Sequence, residues 1–530
     1  MTTLRSPFAT AGTAATPSAQ TGSISKSKPF TSRRLALVVG SVVLLWFALY
    51  NLTRFPATWF DEGSHLHVPK TLVTFGRYAD YSDGEFRYYG PTVGVGPTVM
   101  LPIAAAFKVA GVGLVQARLV MGVYLVLAVL AFVALARSLG GVGPTAFAVL
   151  LLATSPTIGL FENGRQVLGE VPGLFFLCSG LVWWFSCWDK PTWTKLLGAS
   201  AMLALASITK HVYLISIFPG LVAAGGLNLL YYRQVAHRVF LTPLVAVGAV
   251  FGAWQLILVA GLGPSTALEN LRLLQDATRG AALVFSTENM RRAAGELLSV
   301  RAASGLVLPA LISGGARQFS RDRNEQRWGA IWWMAVANLV WFVLASAGWP
   351  RYAFPGLTLS CLLVGRLAWG LMQAPDRNAA AVSVWAGGGA IALWIVMLSV
   401  GFLGRTTLEI MRAPFPASQR MADYLQAHVA TNRVIHTWEP EMSILSDHRY
   451  RFPPPRLLIV AVAHQWTGGP PVTQTFDFET NGRPDYVLEG PFSRYVKLYP
   501  QDRLARDYRP VLIEGGYVLY ERLVETNKER

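Results

Sequence analysis

Long apolar runs alternate with short polar breaks along the chain until Gly404, after which the sequence turns polar. The runs are Leu35 to Leu52, Val93 to Ala110, Leu119 to Leu135, Thr145 to Leu160, Leu168 to Trp188, Leu196 to Ile208, Val212 to Tyr231, Val239 to Leu262, Leu297 to Ile312, Trp328 to Leu344, Tyr352 to Gly370 and Ala379 to Leu403. As helices, runs of this length cross or nearly cross a hydrocarbon layer about 30 Å thick. The pattern therefore predicts a mainly α, polytopic membrane protein of about 11–13 transmembrane helices.

Orientation follows from the loops. Val93 to Ala110 is broken by Pro97, Pro102 and Lys108, and reads as an interfacial or re-entrant segment. The loops with Arg137, with Lys190 and Lys195, with Arg233 and Arg238, and with Arg317, Arg321, Arg323 and Arg327 then all face the cytoplasm, as the positive-inside rule requires. A full crossing by that segment would push the four-arginine loop outward. The same topology gathers Asp61, Glu62, Glu170, Lys210, His211 and Arg351 on the non-cytoplasmic face.

Residues 1–34 are rich in Ser, Thr and Ala, have no apolar core, and read as a disordered cytoplasmic tail. No Ala-x-Ala-type site follows the first run, so it is expected to be a retained anchor. The transmembrane domain is expected over 35–404, with a first outer loop at 53–92. Beyond it, 405–530 alternates a helical pattern, "ASQRMADYLQAHV", with strand-like runs "RVIHTW", "RLLIVAVA", "PDYVLEG" and "GGYVLYERL". That segment reads as a small soluble α/β domain on the non-cytoplasmic side.

Composition agrees. Of 530 residues 52% are hydrophobic and 14% charged, with mean hydropathy +0.38, whereas soluble domains carry roughly a quarter charged residues. The net charge of +16 is scattered between apolar runs, which suits anionic membrane lipids and excludes a nucleic-acid-binding face. Cys178, Cys187 and Cys361 lie inside apolar runs and imply no disulfide framework.

The chemistry concentrates in "WFDEGSHLHVPK", which closely follows the first apolar run. Asp61 and Glu62 must point in different directions on any regular backbone, so one can face a reactive site while the other holds its surroundings. Partial desolvation near a bilayer is expected to raise a carboxyl pKa and make a better base. His65 and His67 with Asp61 could hold a divalent metal, but His-x-His puts both rings on one face only in a strand, so hydrogen bonding to a headgroup or a sugar hydroxyl is the preferred reading. In "FENGRQVLGEVPGLFF", Glu162, Arg165 and Glu170 flank a helix start, where the dipole alone favours an acid. Lys210 and Arg351 border apolar sequence at the same face, as candidates for a phosphate or as snorkelling anchors. Acids and cations around a membrane-embedded cavity, in a chain without a P-loop or Rossmann fingerprint, fit group transfer from a lipid-borne phosphate.

These residues also carry a resemblance. "FDEGSHLHVPKTLVTFGRY", "YYGPTVGVGPTVMLP" and "GVGLVQARLVMG" resemble the start of the C-type membrane glycosyltransferases, in the branch of the protein O-mannosyltransferases and the lipid A aminoarabinose transferase. The matching positions are Asp61 with Glu62, Gly76, and Ala117 with Arg118. The resemblance implies an inverting transfer from a polyprenyl-phosphate sugar to a protein, glycolipid or cell-wall glycan, in a bacterial inner membrane with the active site facing outward. It implies Asp61 as base, Glu62 holding sugar or loop, Glu170 as a further acid, and Lys210, Arg351 and Arg165 as the cations on the donor phosphate. His65, His67 and Tyr89 are the remaining candidates for substrate contact. No cofactor is implied, since cations can serve the phosphate in place of a metal. The rival readings are a transporter or lipid flippase, favoured by Arg301 and Arg366 inside apolar runs, and a non-catalytic lipid-binding scaffold.

Overall fold

The computed structural model describes residues 30–87, 94–269, 285–299, 306–373, 379–454 and 482–523, with a few single positions between them. Of the described residues, Phe30 to Leu44, the start of a helix, belong to one unit, and those from Leu45 on form a second compact unit. The described helices are α1 Phe30–Leu49, α2 Phe60–Phe75, α3 Pro97–Ala110, α4 Leu114–Gly140, α5 Val142–Thr154, α6 Leu160–Arg165, α7 Glu170–Asp189, α8 Trp193–Thr209, α9 His211–Leu227 and α10 Arg238–Leu262. They continue with α11 Thr287–Leu298, α12 Val307–Gly315, α13 Arg323–Ala345, α14 Phe354–Met372, α15 Ala379–Arg412, α16 Ala417–His428, α17 Met442–Leu445, α18 Pro491–Tyr495 and α19 Gln501–Asp507.

Among the described residues, seven helices are long and apolar enough to cross a membrane, and four shorter apolar ones accompany them. This is an integral, multi-pass membrane protein. Two expected spans look different in three dimensions. The run Thr145 to Leu160 is divided between α5 and α6, because the chain turns at Ser155 to Gly159. Leu297 to Ile312 is covered by the end of α11 and the start of α12, and residues 300–305 between them, Arg301 included, lie outside the described set. Arg366, on α14, pairs with Glu325 in the first turn of α13. Its charge is therefore met by a carboxylate at a helix end and does not stand alone within an apolar span.

The helical core is built from α7 on α8, α9 on α13, α8 on α10, α5 on α14 and α4 on α7. Small residues allow the closest approaches. At Gly365 a Cβ would lie 2.5 Å from the Pro144 carbonyl oxygen, and at Gly220 2.3 Å from Met334 Cγ.

Seven strands are described: β1 Asp80–Ser82, β2 Glu85–Arg87, β3 Val434–Thr437, β4 Arg449–Arg451, β5 Tyr486–Glu489, β6 Tyr508–Glu514 and β7 Tyr517–Arg522. β1 and β2 form a hairpin in the first loop. The others form a five-stranded mixed sheet in the order β4-β3-β5-β7-β6, parallel among the first three and antiparallel thereafter. Pro510, which cannot donate to a ladder, sits in the edge strand β6 at a register shift. "RLLIVAVA" departs from its expected strand. Its described positions Leu457, Val460 and Ala461 are helical, as is His464 beyond them. That spacing puts Leu457 and Ala461 on one face, buried against Phe478 and Tyr499.

The sheet region is packed directly onto the first loop. Leu66 and Val68 of α2, Met100, Ile103 and Phe107 of α3, and Ala117 and Met121 of α4 share one apolar core with Met421 and Leu425 of α16 and with Ile435, Leu488 and Leu519 of the sheet. That common core is what fixes the helix carrying Asp61 and Glu62.

Candidate active site

α2 begins after Trp59, whose extended backbone ends the incoming loop, and Asp61 and Glu62 fall in its first turn, where a helix dipole favours acids. The two carboxylates diverge. Asp61 accepts a hydrogen bond from Nη1 of Arg351, in the 3-10 turn Pro350–Ala353 that leads into α14. The Arg351 guanidinium carbon lies 5.1 Å from the Trp349 ring centroid, 5.6 Å from Trp59 and 5.8 Å from Tyr352. Three aromatic rings thus stabilise the cation, and the Tyr352 side chain also accepts a hydrogen bond from it. Trp59 is held by its own bond, Nε1 donating to Gln166 Oε1 at 3.2 Å.

Burial pushes the Asp61 carboxyl upward, but Arg351 first, then His65 and Lys210, outweigh it, and the net shift is downward. The rise expected from desolvation alone is reversed by those charges. His65 lies beside it. Burial takes its imidazole down to about 4, and Nδ1 lies 2.6 Å from the Val167 carbonyl. A carbonyl only accepts, so Nδ1 carries the proton and the neutral ring keeps Nε2 as an acceptor.

The second ion pair joins Lys210 Nζ to Glu170 Oε1. Glu170 opens α7, and the Tyr213 hydroxyl donates to its carbonyl oxygen. Lys210 is the extended residue between α8 and α9, and the residues before α3 are stitched to it through a Val95–Lys210 bridge and a 2.9 Å bond from Gly96 N to Thr209 O. A Cβ on Gly96 would fall 1.7 Å from the Ile208 carbonyl oxygen, so only glycine allows this approach. The two pairs sense each other: Lys210 acts on Asp61, and Glu170 on Arg351. Two acids and two cations from segments far apart in sequence therefore form one cluster.

Glu62 is turned the other way and is fully buried. Its oxygens accept from Arg118 Nε at 2.8 Å and Nη2 at 2.5 Å, and Oε1 also from the Val167 N–H at 3.2 Å. Arg118 Nη1 continues to the Leu52 carbonyl at 2.6 Å. Arg165 is likewise fully buried, donating to the carbonyls of Phe47 at 2.8 Å and Tyr50 at 2.6 Å. His67 lies 3.0 Å from the Pro440 carbonyl oxygen and 2.5 Å from Ser443 Oγ. Glu62, Arg165 and His67 are each engaged by protein groups, and for Glu62 this is the loop-holding alternative of its two expected roles. Tyr89 lies outside the described residues.

No family model and no curated protein matches the chain. Solved structures do. ArnT from Cupriavidus metallidurans in the apo state matches with a TM-score of 0.63 at 14% identity, over 93% of this chain and 98% of that one. The same protein bound to undecaprenyl phosphate gives 0.57 at 15% identity, over 93% and 99%. The archaeal oligosaccharyltransferase AglB from Archaeoglobus fulgidus, in complex with an inhibitory peptide and a dolichol-phosphate, gives 0.54 at 12% identity, over 94% and 75%. The fold is that of the GT-C membrane glycosyltransferases.

Within this GT-C fold, the segment Trp438–Ser443 grips α2 in a way that no local pattern announced. A Cβ on Gly63 would lie 2.2 Å from Glu441 N. Lys70 Nζ donates to the Ser443 carbonyl at 2.5 Å, and the Phe60 and Phe492 rings stack at 3.5 Å between centroids. Glu439 accepts from Ser493 N and Oγ, both at 2.8 Å, and so anchors the short α18 that presents Phe492. Trp59, Gln166 and Ser443 carry no local sequence signal for these positioning roles. Only the Ala117–Arg118 pair carried a usable signal, through the family resemblance.

Proposed function

We propose that this GT-C chain is a glycosyltransferase that moves one sugar from a polyprenyl-phosphate carrier to an acceptor hydroxyl on the non-cytoplasmic side, with inversion. The observation that carries the reading is the convergence of Asp61, Arg351, Glu170 and Lys210 into one cluster. A base and a phosphate-holding cation are what such a transfer needs at one place. ArnT bound to undecaprenyl phosphate, which shares the fold, supports a lipid phosphate as donor.

In this reaction the acceptor oxygen attacks the anomeric carbon from the face opposite the lipid. The new C–O bond forms as the bond to the phosphate oxygen breaks, and that bond's electron pair leaves with the phosphate. The acceptor proton passes to Asp61. Arg351 meets the growing negative charge on the leaving phosphate, with Lys210 adding its field from the Glu170 pair. Single displacement needs only one base, which accords with inversion. Glu62 serves by fixing α2 through Arg118, and His65 by presenting a neutral acceptor nitrogen beside Asp61. The chain would act in a bacterial inner membrane with this cluster facing outward, an orientation that the basic loops support.

The test is to incubate purified protein in liposomes with radiolabelled polyprenyl-phosphate sugars and candidate glycolipid, glycan and peptide acceptors. Label should leave the lipid phosphate and appear on an acceptor with the opposite anomeric configuration by NMR. Movement of intact lipid-linked sugar across the bilayer without cleavage would instead establish a flippase.

A further inference from the structure

We propose that Asp61 and the donor's phosphate compete for one cation, Arg351, so that donor binding is what frees Asp61 to accept a proton. This rests on the sugar-transfer reading above and adds an order of events to it.

The two ion pairs of the cluster are built differently. Glu170 and Lys210 side chains are 0% and 9% exposed, whereas Asp61 and Arg351 are 19% and 20% exposed. Lys210 is also pinned through its backbone, by the bridge to Val95, and by Gly169, where an added Cβ would lie 3.0 Å from Lys210 Cβ. A ligand can reach the Asp61–Arg351 pair without unpacking these contacts. Arg351 is moreover surrounded by Trp59, Trp349 and Tyr352, whose rings favour its charge; Tyr352 also accepts a hydrogen bond from it, and the two tryptophan faces accept none of its N–H groups in the plane of the guanidinium.

A carboxylate that holds a guanidinium has its lone pairs engaged and is a weak base. A phosphodiester offers the same guanidinium a planar pair of oxygens, the arrangement arginine binds best. Once Arg351 turns to the phosphate, the charged and titratable groups left around Asp61 are neutral His65, the Tyr352 phenol and Lys210, whose charge is already met by Glu170. Asp61 then becomes available to the acceptor hydroxyl. After transfer the lipid phosphate has gained one negative charge and Asp61 one proton, so the protonated acid no longer competes. Loss of that proton restores the Asp61–Arg351 pair and helps expel the lipid phosphate. The arrangement disfavours deprotonation of an acceptor when no donor is bound.

The consequence is unusual for a proposed base: removing it should strengthen donor-side binding. Equilibrium binding of a short-chain polyprenyl phosphate would be measured in nanodiscs on wild-type protein, Asp61→Asn, Arg351→Gln and Glu170→Gln, with transfer assayed in parallel. We expect Asp61→Asn to bind about tenfold tighter while losing transfer, and Arg351→Gln to bind more than about tenfold weaker. Glu170→Gln should not reproduce the tightening. Asp61→Ser, which removes the carboxylate without adding an amide, should tighten binding as well and guards against a folding defect in the first variant. Unchanged or weaker binding in both Asp61 variants, with wild-type transfer intact, overturns the competition and leaves the sugar-transfer reading standing. A wild type that neither binds polyprenyl phosphate nor transfers sugar removes both.

Discussion

Arg118→Met offers a direct test of how the acid-bearing helix is held. The substitution keeps most of the volume but leaves the Glu62 carboxylate, fully buried, with the single 3.2 Å bond from Val167 N. It also orphans the Leu52 carbonyl that Arg118 meets at 2.6 Å. Breaking a fully buried, bidentate pair by removing one partner costs about 3–5 kcal/mol, because the remaining charge is uncompensated. The double variant Glu62→Leu with Arg118→Met leaves no charge behind and should recover most of that loss. Thermal and denaturant midpoints in detergent would be measured for wild type, both single variants and the double. Transfer per folded molecule should fall less in Arg118→Met than in Asp61→Asn, since Arg118 acts through the placement of α2. A single variant as stable as wild type, or a double variant no better than Arg118→Met, would refute the reasoning. Intact stability with abolished transfer would move Glu62 and Arg118 into the reacting centre.

Orientation can be read with thiol labelling, since the three native cysteines are buried. Exposed Ala427→Cys should react with an impermeant reagent outside intact cells, and exposed Lys195→Cys only after permeabilisation. Gly63→Ala drives a methyl into the backbone of Pro440 and Glu441, with 2.2 Å to Glu441 N. It should cost about 1–3 kcal/mol and expose the sheet region to limited proteolysis, whereas Gly226→Ala, with open space around it, should not. Burial pushes the Glu439 carboxyl from 4.5 up to about 7, so the folded protein keeps a proton that the unfolded chain releases. The neighbouring Glu441 is raised by burial and by Glu439, so the stability contributed by the pair is complete below pH 4.5 and Glu439's share of it is lost as pH rises through about 7. Melting temperature should therefore fall between pH 5.5 and pH 8, and Glu439→Gln should flatten the fall; equal slopes in the two proteins would exclude Glu439 as its source.

The sequence alone determined the helical, membrane-spanning class, because hydrophobic period and run length are local properties that survive any packing. It also determined that Asp61 and Glu62 diverge, since neighbours on one helix cannot share a direction. Loop charges were enough to nominate Asp61, Glu170, Lys210 and Arg351 for one face. Which acid meets which cation was decided only in three dimensions, across 290 residues for Asp61 with Arg351 and 56 for Glu62 with Arg118. So was the sign of the Asp61 shift, because a charge brought near through tertiary packing outweighs the desolvation that position alone suggests. "RLLIVAVA" shows the same limit in the fold, as a short apolar run suits strand and helix equally until a neighbouring surface, here Phe478 and Tyr499, selects the face to bury. The partner of His67 is equally non-local: its ring meets Ser443, 376 residues away. Periodicity records what a segment must bury, and only packing in a low-dielectric interior determines against which partner each polar group is spent.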